Sequence, residues 1–582
     1  MNSTSENSFF INQNSRSHFA SVVVCAGLFI ACLIPFHVHP FRSLYNELAI
    51  IIGLFFAFFV LAWQPRGSMM DLLIPKASIL PLGLIVVLVL NLVFRTSSVW
   101  SELIFPLIYL LLFLFAIILG ANITVNQQQR AYFCLVFSMV NVALAVLSVS
   151  IEYMQIAGVD GSPLMMSIGH GNYLVRAYAN IAQPNQLALL LCFGMASTWY
   201  LYQINKLPAQ WALSIAGFIL TGVVLTQSRI GWIISPLFAV LLMTTQNGEK
   251  KVNRLVVMAL LLVYFGMVFF LPFASSAMGY VGGSVIEHVG GRSERMGLWQ
   301  QAWHMAATHP WAGVGWFGYG AEQVRIAADF NSTTYAEHAH NIVLNFAAEM
   351  GWPVTLAIML GVSWWIVQTC VLAKSNSVSL YASLCFIAAG VHSMVEFPLW
   401  YGYILFPIGM LIGMSDHLRW EARVMTTTTA LVKTLVIIGL MGMSLIIWDY
   451  QRVVRGFNVF RWEQMPSAVS LQKLEKPAFT LFPEFFDYFK LMRIEPREGM
   501  AAEEIAYVEK WTPRFGFVHI LNKMAEIDLL NGEPDKAVRL MQTLQRLHPY
   551  DYPEYFDYWQ AKGALDPRYK AAVAQIPKRD AP

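Results

Sequence analysis

Apolar runs of about 17–23 residues recur through the first 450 positions, separated by polar turns. They fall near 19–37, 44–63, 74–94, 102–120, 131–153, 185–203, 209–226, 231–245, 255–273, 353–373, 379–396, 401–418 and 430–448. A helix needs about 20 apolar residues to cross a hydrocarbon layer of about 30 Å. The pattern therefore predicts an all-α polytopic membrane protein with about 12–13 transmembrane helices. Residues 1–18 are polar and read as a disordered cytoplasmic tail. No small-residue cleavage site follows the first run, so it reads as a retained span. Two longer polar loops interrupt the series, at 154–184 and 274–352. Residues 19–449 thus form the membrane domain and 450–582 a less hydrophobic tail. Within that tail, Asn531-Gly532-Glu533-Pro534 separates two helical patterns, a hairpin of tetratricopeptide type.

Charge sets the expected orientation. With the N-terminus in the cytoplasm, the inner segments hold Arg16, Arg66, Arg130, Lys206, Lys250, Lys251, Arg254, Lys374, Arg419 and Arg423. The short outer turns hold only Arg42, Arg95 and Arg229. Ten against three follows the positive-inside rule and puts both long loops and the tail outside. Composition agrees, with 57% hydrophobic and 13% charged residues against about 25% charged in soluble domains. A net charge of +3 gives no argument for nucleic acid. The six cysteines all lie in apolar runs without CxxC or Cys/His spacing, so neither disulfides nor a metal site is expected.

The candidate chemistry gathers at the outer edges. Glu337-His338-Ala339-His340-Asn341 closes the second long loop, just before the chain re-enters the membrane, with Arg292, Arg295 and Arg325 upstream. Titratable groups beside an apolar surface are costly and tend to be functional. His338 and His340, two apart, share no helical face, so one imidazole as general base suits them better than a metal pair. Asn341 is placed to cap the helix that follows. In the first loop, Arg176 precedes Gln183-Pro184-Asn185, where a helix N-terminus can hold an anion. Lipid-headgroup contact by Arg176 with a structural Gln-Pro-Asn cap is the equal alternative. Arg229, in the turn Gln227-Ser228-Arg229-Ile230-Gly231, opposes the orientation rule, which favours an anion contact. Met296, Trp299, Trp303 and Ala306 recur at helical spacing, as in an amphipathic helix lying at the headgroups. Glu396 near the end of a span needs a partner, and the arginines are candidates. Tyr401 reads either as a hydrogen-bond donor or as an aromatic-belt anchor.

Five blocks together resemble the O-antigen ligase superfamily, and most closely its protein-glycosylating branch, the bacterial O-oligosaccharyltransferases. They are PFHVHPFRSLYNE (35–47), RAYANIAQPNQLA (176–188), RMGLWQQAW with HPWAGVGW in the long loop, EHAHN (337–341) and HSMVEFPLWY (392–401). The resemblance implies transfer of a glycan from undecaprenyl-pyrophosphate to Ser or Thr hydroxyls of pilin or other periplasmic proteins. It implies no metal or other cofactor, and a bacterial inner-membrane location. Carried over, Arg229 and Arg292 or Arg295 hold the pyrophosphate, and His340 serves the acceptor. The chemistry is consistent: arginines placed where negative charge develops on the leaving phosphate are worth about 3 kcal/mol each. An O-antigen ligase acting on lipid A-core, or an O-antigen polymerase, keeps the same fold. A transporter would need ionisable groups near mid-membrane, and a non-catalytic assembly scaffold would not need His340.

Overall fold

A computed structural model describes residues 3–64, 67–94, 100–168, 176–244, 253–277, 294–371, 376–462 and 467–579. Arg66, Arg95, Lys250, Lys251, Arg292 and Lys374 lie outside these residues. The chain is an all-α polytopic membrane protein, and each apolar run is a helix. In order these are α1 (Ser3–Leu33), α2 (Leu44–Leu61), α3 (Ile79–Phe94), α4 (Trp100–Asn122), α5 (Gln127–Ile156), α6 (Pro184–Gln203), α7 (Ala209–Leu225), α8 (Arg229–Thr244) and α9 (Arg254–Ala277). The long loop carries α10 (Glu294–Thr308), α11 (Tyr319–Ile326) and α12 (Ile342–Met350). The bundle then resumes with α13 (Trp352–Ile366), α14 (Ser377–Ser393), α15 (Gly402–Arg419) and α16 (Thr429–Trp462).

Among the described residues, eight of these helices are long and apolar enough to cross a membrane. Three more, α7, α8 and α14, are apolar but shorter. The remaining two, α6 and α15, have 20 and 18 residues but carry buried polar groups. Several of those groups are satisfied internally, as a dry interior demands. Asp416 of α15, for example, accepts from the Lys76 backbone N–H at 2.7 Å and Trp365 Nε1 at 2.8 Å. Close helix approach relies on small residues. A Cβ on Gly413 of α15 would lie 1.9 Å from the Ile117 carbonyl oxygen of α4.

Two features depart from the sequence reading. The polar N-terminal stretch is helical from Ser3, continuous with α1. Asn14 has partners at the start of α5: its Oδ1 accepts from Asn126 Nδ2 at 3.1 Å and Gln129 Nε2 at 2.9 Å. Second, Met69–Ile74 and Arg423–Thr428 pair as an antiparallel two-stranded sheet, β1 and β2, from Met69 opposite Thr428 to Ile74 opposite Arg423. The Thr/Val-rich β2 suits a strand, and the pairing ties the segment after α2 to the start of α16.

The tail follows α16, which continues to Trp462 past the expected boundary at 449. It comprises α17 (Ala468–Gln472), α18 (Pro483–Arg493), α19 (Ala502–Trp511), α20 (Val518–Leu530), α21 (Pro534–Leu547), α22 (Tyr552–Gly563) and α23 (Pro567–Val573). The two helices expected on either side of residues 531–534 are α20 and α21, which share a core through Leu521, Ala525, Leu529, Ala537, Met541 and Leu544.

Candidate active site

Four separate segments supply the site, and each is fixed locally before it meets the others. The turn before α6 is held by Gln155 of α5, whose Nε2 donates to the Ala179 carbonyl at 3.0 Å and whose Oε1 accepts from the Ala179 N–H at 3.0 Å. Gln183 caps α6 by accepting from the Gln186 N–H at 2.7 Å, and Pro184 occupies the first turn. This places Asn185, buried, at the helix mouth. Its Oδ1 accepts from Arg176 Nη2 at 2.9 Å and from Ser228 Oγ at 2.8 Å. Arg176 Nε in turn donates to the Thr226 carbonyl at 3.0 Å. The first loop and the Gln227–Gly231 turn are thereby joined.

Asn185 Nδ2 donates to Glu396 Oε1 at 2.9 Å. The same carboxylate forms an ion pair with Arg295 of α10, and its Oε2 meets His340 Nδ1 at 2.8 Å. Glu396 is only 5% exposed. Burial alone would push its carboxyl up, but the hydrogen bond and charge of His340, then Arg295, outweigh it and hold the group at about 2. It is therefore ionised at neutral pH and can only accept hydrogen bonds. It follows that His340 Nδ1 carries the proton and, in the neutral ring, Nε2 presents its lone pair. A carboxylate fixing an imidazole tautomer in this way recurs among catalytic and metal-binding histidines.

The backbone supports this pose. His340 has φ +52°, a left-handed conformation that costs an L-residue about 1–2 kcal/mol. Asn341 follows as the cap of α12, its Oδ1 accepting from the Val343 N–H at 3.1 Å and the Leu344 N–H at 3.0 Å. Its Nδ2 donates to the Met394 carbonyl at 3.0 Å, two residues before Glu396. At the other end of α12, Gly313 lies against Glu349, where a Cβ would fall 2.3 Å from the backbone carbon.

Positive charge exceeds negative here. Arg176 feels burial most, then attraction from Glu396, then repulsion from Arg295 and Arg229, and is brought down to about 10. Three guanidinium groups thus lie within each other's fields and are offset by one carboxylate.

Three matches to known proteins cover this arrangement. Residues 213–359 match O-antigen ligase, residues 380–562 match the C-terminal region of a virulence factor membrane-bound polymerase, and residues 177–202 match a protein glycosylation ligase. Over 90% of its length the chain is 25% identical to a general O-oligosaccharyltransferase of Acinetobacter baylyi, covering 91% of that protein. It is also 23% identical to a ComP-specific O-oligosaccharyltransferase of the same organism, over 67% of this chain and 70% of that one. Over these regions the chain is similar to O-antigen ligases and to O-oligosaccharyltransferases. Each matched region supplies part of the hydrogen-bonded group. The glycosylation-ligase region brings Asn185, the ligase region Ser228, Arg295 and His340, and the polymerase region Glu396.

Other expected residues are placed differently. Glu337 turns away from His340 and pairs with Arg514 of the tail at 2.8 Å. Arg325 is exposed and pairs with Glu322 within α11. Gln183 spends its side-chain oxygen on the helix cap. The His338 ring lies 3.7 Å from Phe397 and 4.7 Å from His340, centroid to centroid, and burial, reinforced by His340, lowers it to about 4. His338 is thus a neutral packing partner. Tyr401 stacks on Phe397 at 6.0 Å, and burial pushes its phenol up to about 12. Along α10, Met296 and Trp303 face outward while Ala306 is buried, so Ala306 does not share their face. Arg292 lies outside the described residues, which leaves Arg295 as the long-loop arginine seen at Glu396. Ser228 and Thr226 were not singled out by the sequence. Their signal was adjacency to Arg229, but nothing in the chain pattern pointed to Arg176 and Asn185 as partners.

Proposed function

We propose that this protein is an O-linked oligosaccharyltransferase. It transfers a glycan from undecaprenyl-pyrophosphate to Ser or Thr hydroxyls of pilin or other periplasmic proteins, at the outer face of a bacterial inner membrane. The N-terminus lies in the cytoplasm and the tail outside. The observation that carries this reading is the His340–Glu396 pair beside Arg176, Arg229 and Arg295. Nε2 of His340 takes the proton of the acceptor hydroxyl as its oxygen attacks the anomeric carbon. The bond from that carbon to the phosphate oxygen breaks, and the electron pair leaves with the pyrophosphate. The arginines neutralise the charge that develops. Glu396 has both oxygens occupied and acts by orienting His340 and Arg295. The outward-facing Met296 and Trp303 give α10 an apolar face suited to the membrane surface that holds the carrier lipid.

The ligase and polymerase matches support a second reading with the same chemistry and a glycan acceptor. A strain deleted for this gene and complemented with the wild type separates the two. Intact masses of periplasmic proteins and the lipopolysaccharide ladder are followed in parallel. A glycan mass on protein, restored by the wild type, supports the oligosaccharyltransferase. Unchanged protein masses with an altered ladder move the assignment to ligase or polymerase.

A further inference from the structure

The segment that delivers His340 is bonded to the tail over most of its length. The Thr333 N–H donates to the Arg546 carbonyl at 2.8 Å, and the Tyr335 N–H to the Leu547 carbonyl at 3.2 Å. Tyr335 Oη donates to the Arg514 carbonyl at 3.3 Å, and Arg514 Nη1 donates to Glu337 Oε1 at 2.8 Å. Just upstream, Arg539 of α21 pairs with Asp329 at 2.7 Å. Apolar contact runs the same way. Val324 and Ala327 of the long loop lie in the core of the tail, and Tyr335 packs against it. Gly516 permits this fit, since a Cβ there would come within 2.5 Å of Val324 Cγ2 and 2.6 Å of Tyr335 Cε2. Between the tail and His340, the Ala336 N–H donates to Gln323 Oε1 and the Ala339 N–H to Asn345 Oδ1, both at 2.9 Å.

We infer that the tail braces the catalytic histidine, with Arg514 as a positioning residue that holds Glu337 and hence the His338–His340 turn. The inference rests on the role proposed for His340. His340 sits in a left-handed conformation three residues beyond Glu337. A segment under that local strain keeps its pose only where its surroundings over-determine it. The tail supplies a large share of those constraints, from residues roughly 180–210 positions away in sequence. A displacement of about 1 Å at a reacting group can cost up to about a hundredfold in rate.

The test uses charge reversal in the full-length protein: Glu337→Arg, Arg514→Glu and the double variant. Transfer of the strain's own glycan is timed by intact mass at equal membrane abundance. Hydrogen exchange at Thr333 and Tyr335 is read on the purified chain. Each single reversal is expected to speed exchange at both amides and slow transfer roughly tenfold. The double variant is expected to bring both back toward wild type, which a general loss of folding would not do. Gly516→Val, which opens the junction by steric clash, is expected to act like the single reversals. Unaltered exchange in the singles, unaltered transfer despite faster exchange, or no recovery in the double would each overturn the inference. His340→Ala separates the two levels. If it leaves transfer intact, the role of His340 fails. If it abolishes transfer while the junction variants retain it, only the brace fails.

Discussion

At the residue scale the site is centred on one buried carboxylate with both oxygens engaged. Glu396 accepts from Asn185, Arg295 and His340 together, so changing it alters three contacts at once. Glu396→Gln presents an amide that cannot accept on both sides. His340 then loses its fixed tautomer, and transfer measured at equal abundance is expected to fall about 10–100-fold. Arg295→Ala leaves the carboxylate buried without its cation, a change of about 3–5 kcal/mol. It should lower both the thermal midpoint and transfer, whereas Arg325→Ala, at an exposed pair, should leave both near wild type. The pH dependence has a defined sign. Glu396 is held at about 2, below its ordinary 4.5, so its stabilisation is complete above 4.5 and is lost as pH falls toward 2. His338 is pushed from 6.5 to about 4, so folding favours its neutral form, and that preference is lost as pH falls from 6.5 through 4. The thermal midpoint should therefore drop between pH 6.5 and 4, and His338→Phe should reduce that part of the drop. Identical midpoints at pH 7 and 4.5 would contradict this. His340, Arg295 and Asn185 were legible in the sequence because polar groups at a membrane edge are costly without a use. The partner of Glu337 was not, because Arg514 lies 177 positions away and no local pattern joins them.

At the element scale, α12 is the part whose start must be exact for the site to form. Asn341 caps it and also bonds the Met394 carbonyl, so Asn341→Ala removes an N-cap worth about 1 kcal/mol and one tie between the two halves of the site. Faster hydrogen exchange at Val343 and Leu344, together with reduced transfer, is the expected result. Exchange at wild-type rates would show that the cap is not needed. The helices themselves were readable because a 20-residue apolar run has few alternatives in a membrane. The two strands escaped notice because each has six residues and its partner is more than 340 positions distant. The helical N-terminal stretch escaped for a related reason. Its Asn14 bonds Asn126 and Gln129 at the start of α5, which no local propensity reveals.

At the scale of the whole molecule, the tail and the long loop share a core, so they form a single unit for stability. Val324, Ala327 and Tyr335 would be uncovered by removing the tail. A chain ending after Trp462 is therefore expected to insert its helices but to lose transfer, with protease sensitivity appearing near 324–337. A truncated chain with normal transfer would contradict that view. The sequence indicated a separate tail through its drop in hydropathy, yet could not show that its core includes residues of the loop. In the proposed reaction His340, oriented by Glu396, takes the proton of the acceptor hydroxyl. The most direct measurement follows the glycan mass on acceptor protein over time, in the deletion strain carrying wild type or His340→Ala at equal membrane abundance. A loss of about a hundredfold or more is expected in the variant. Glycan appearing on protein at the wild-type rate would contradict it.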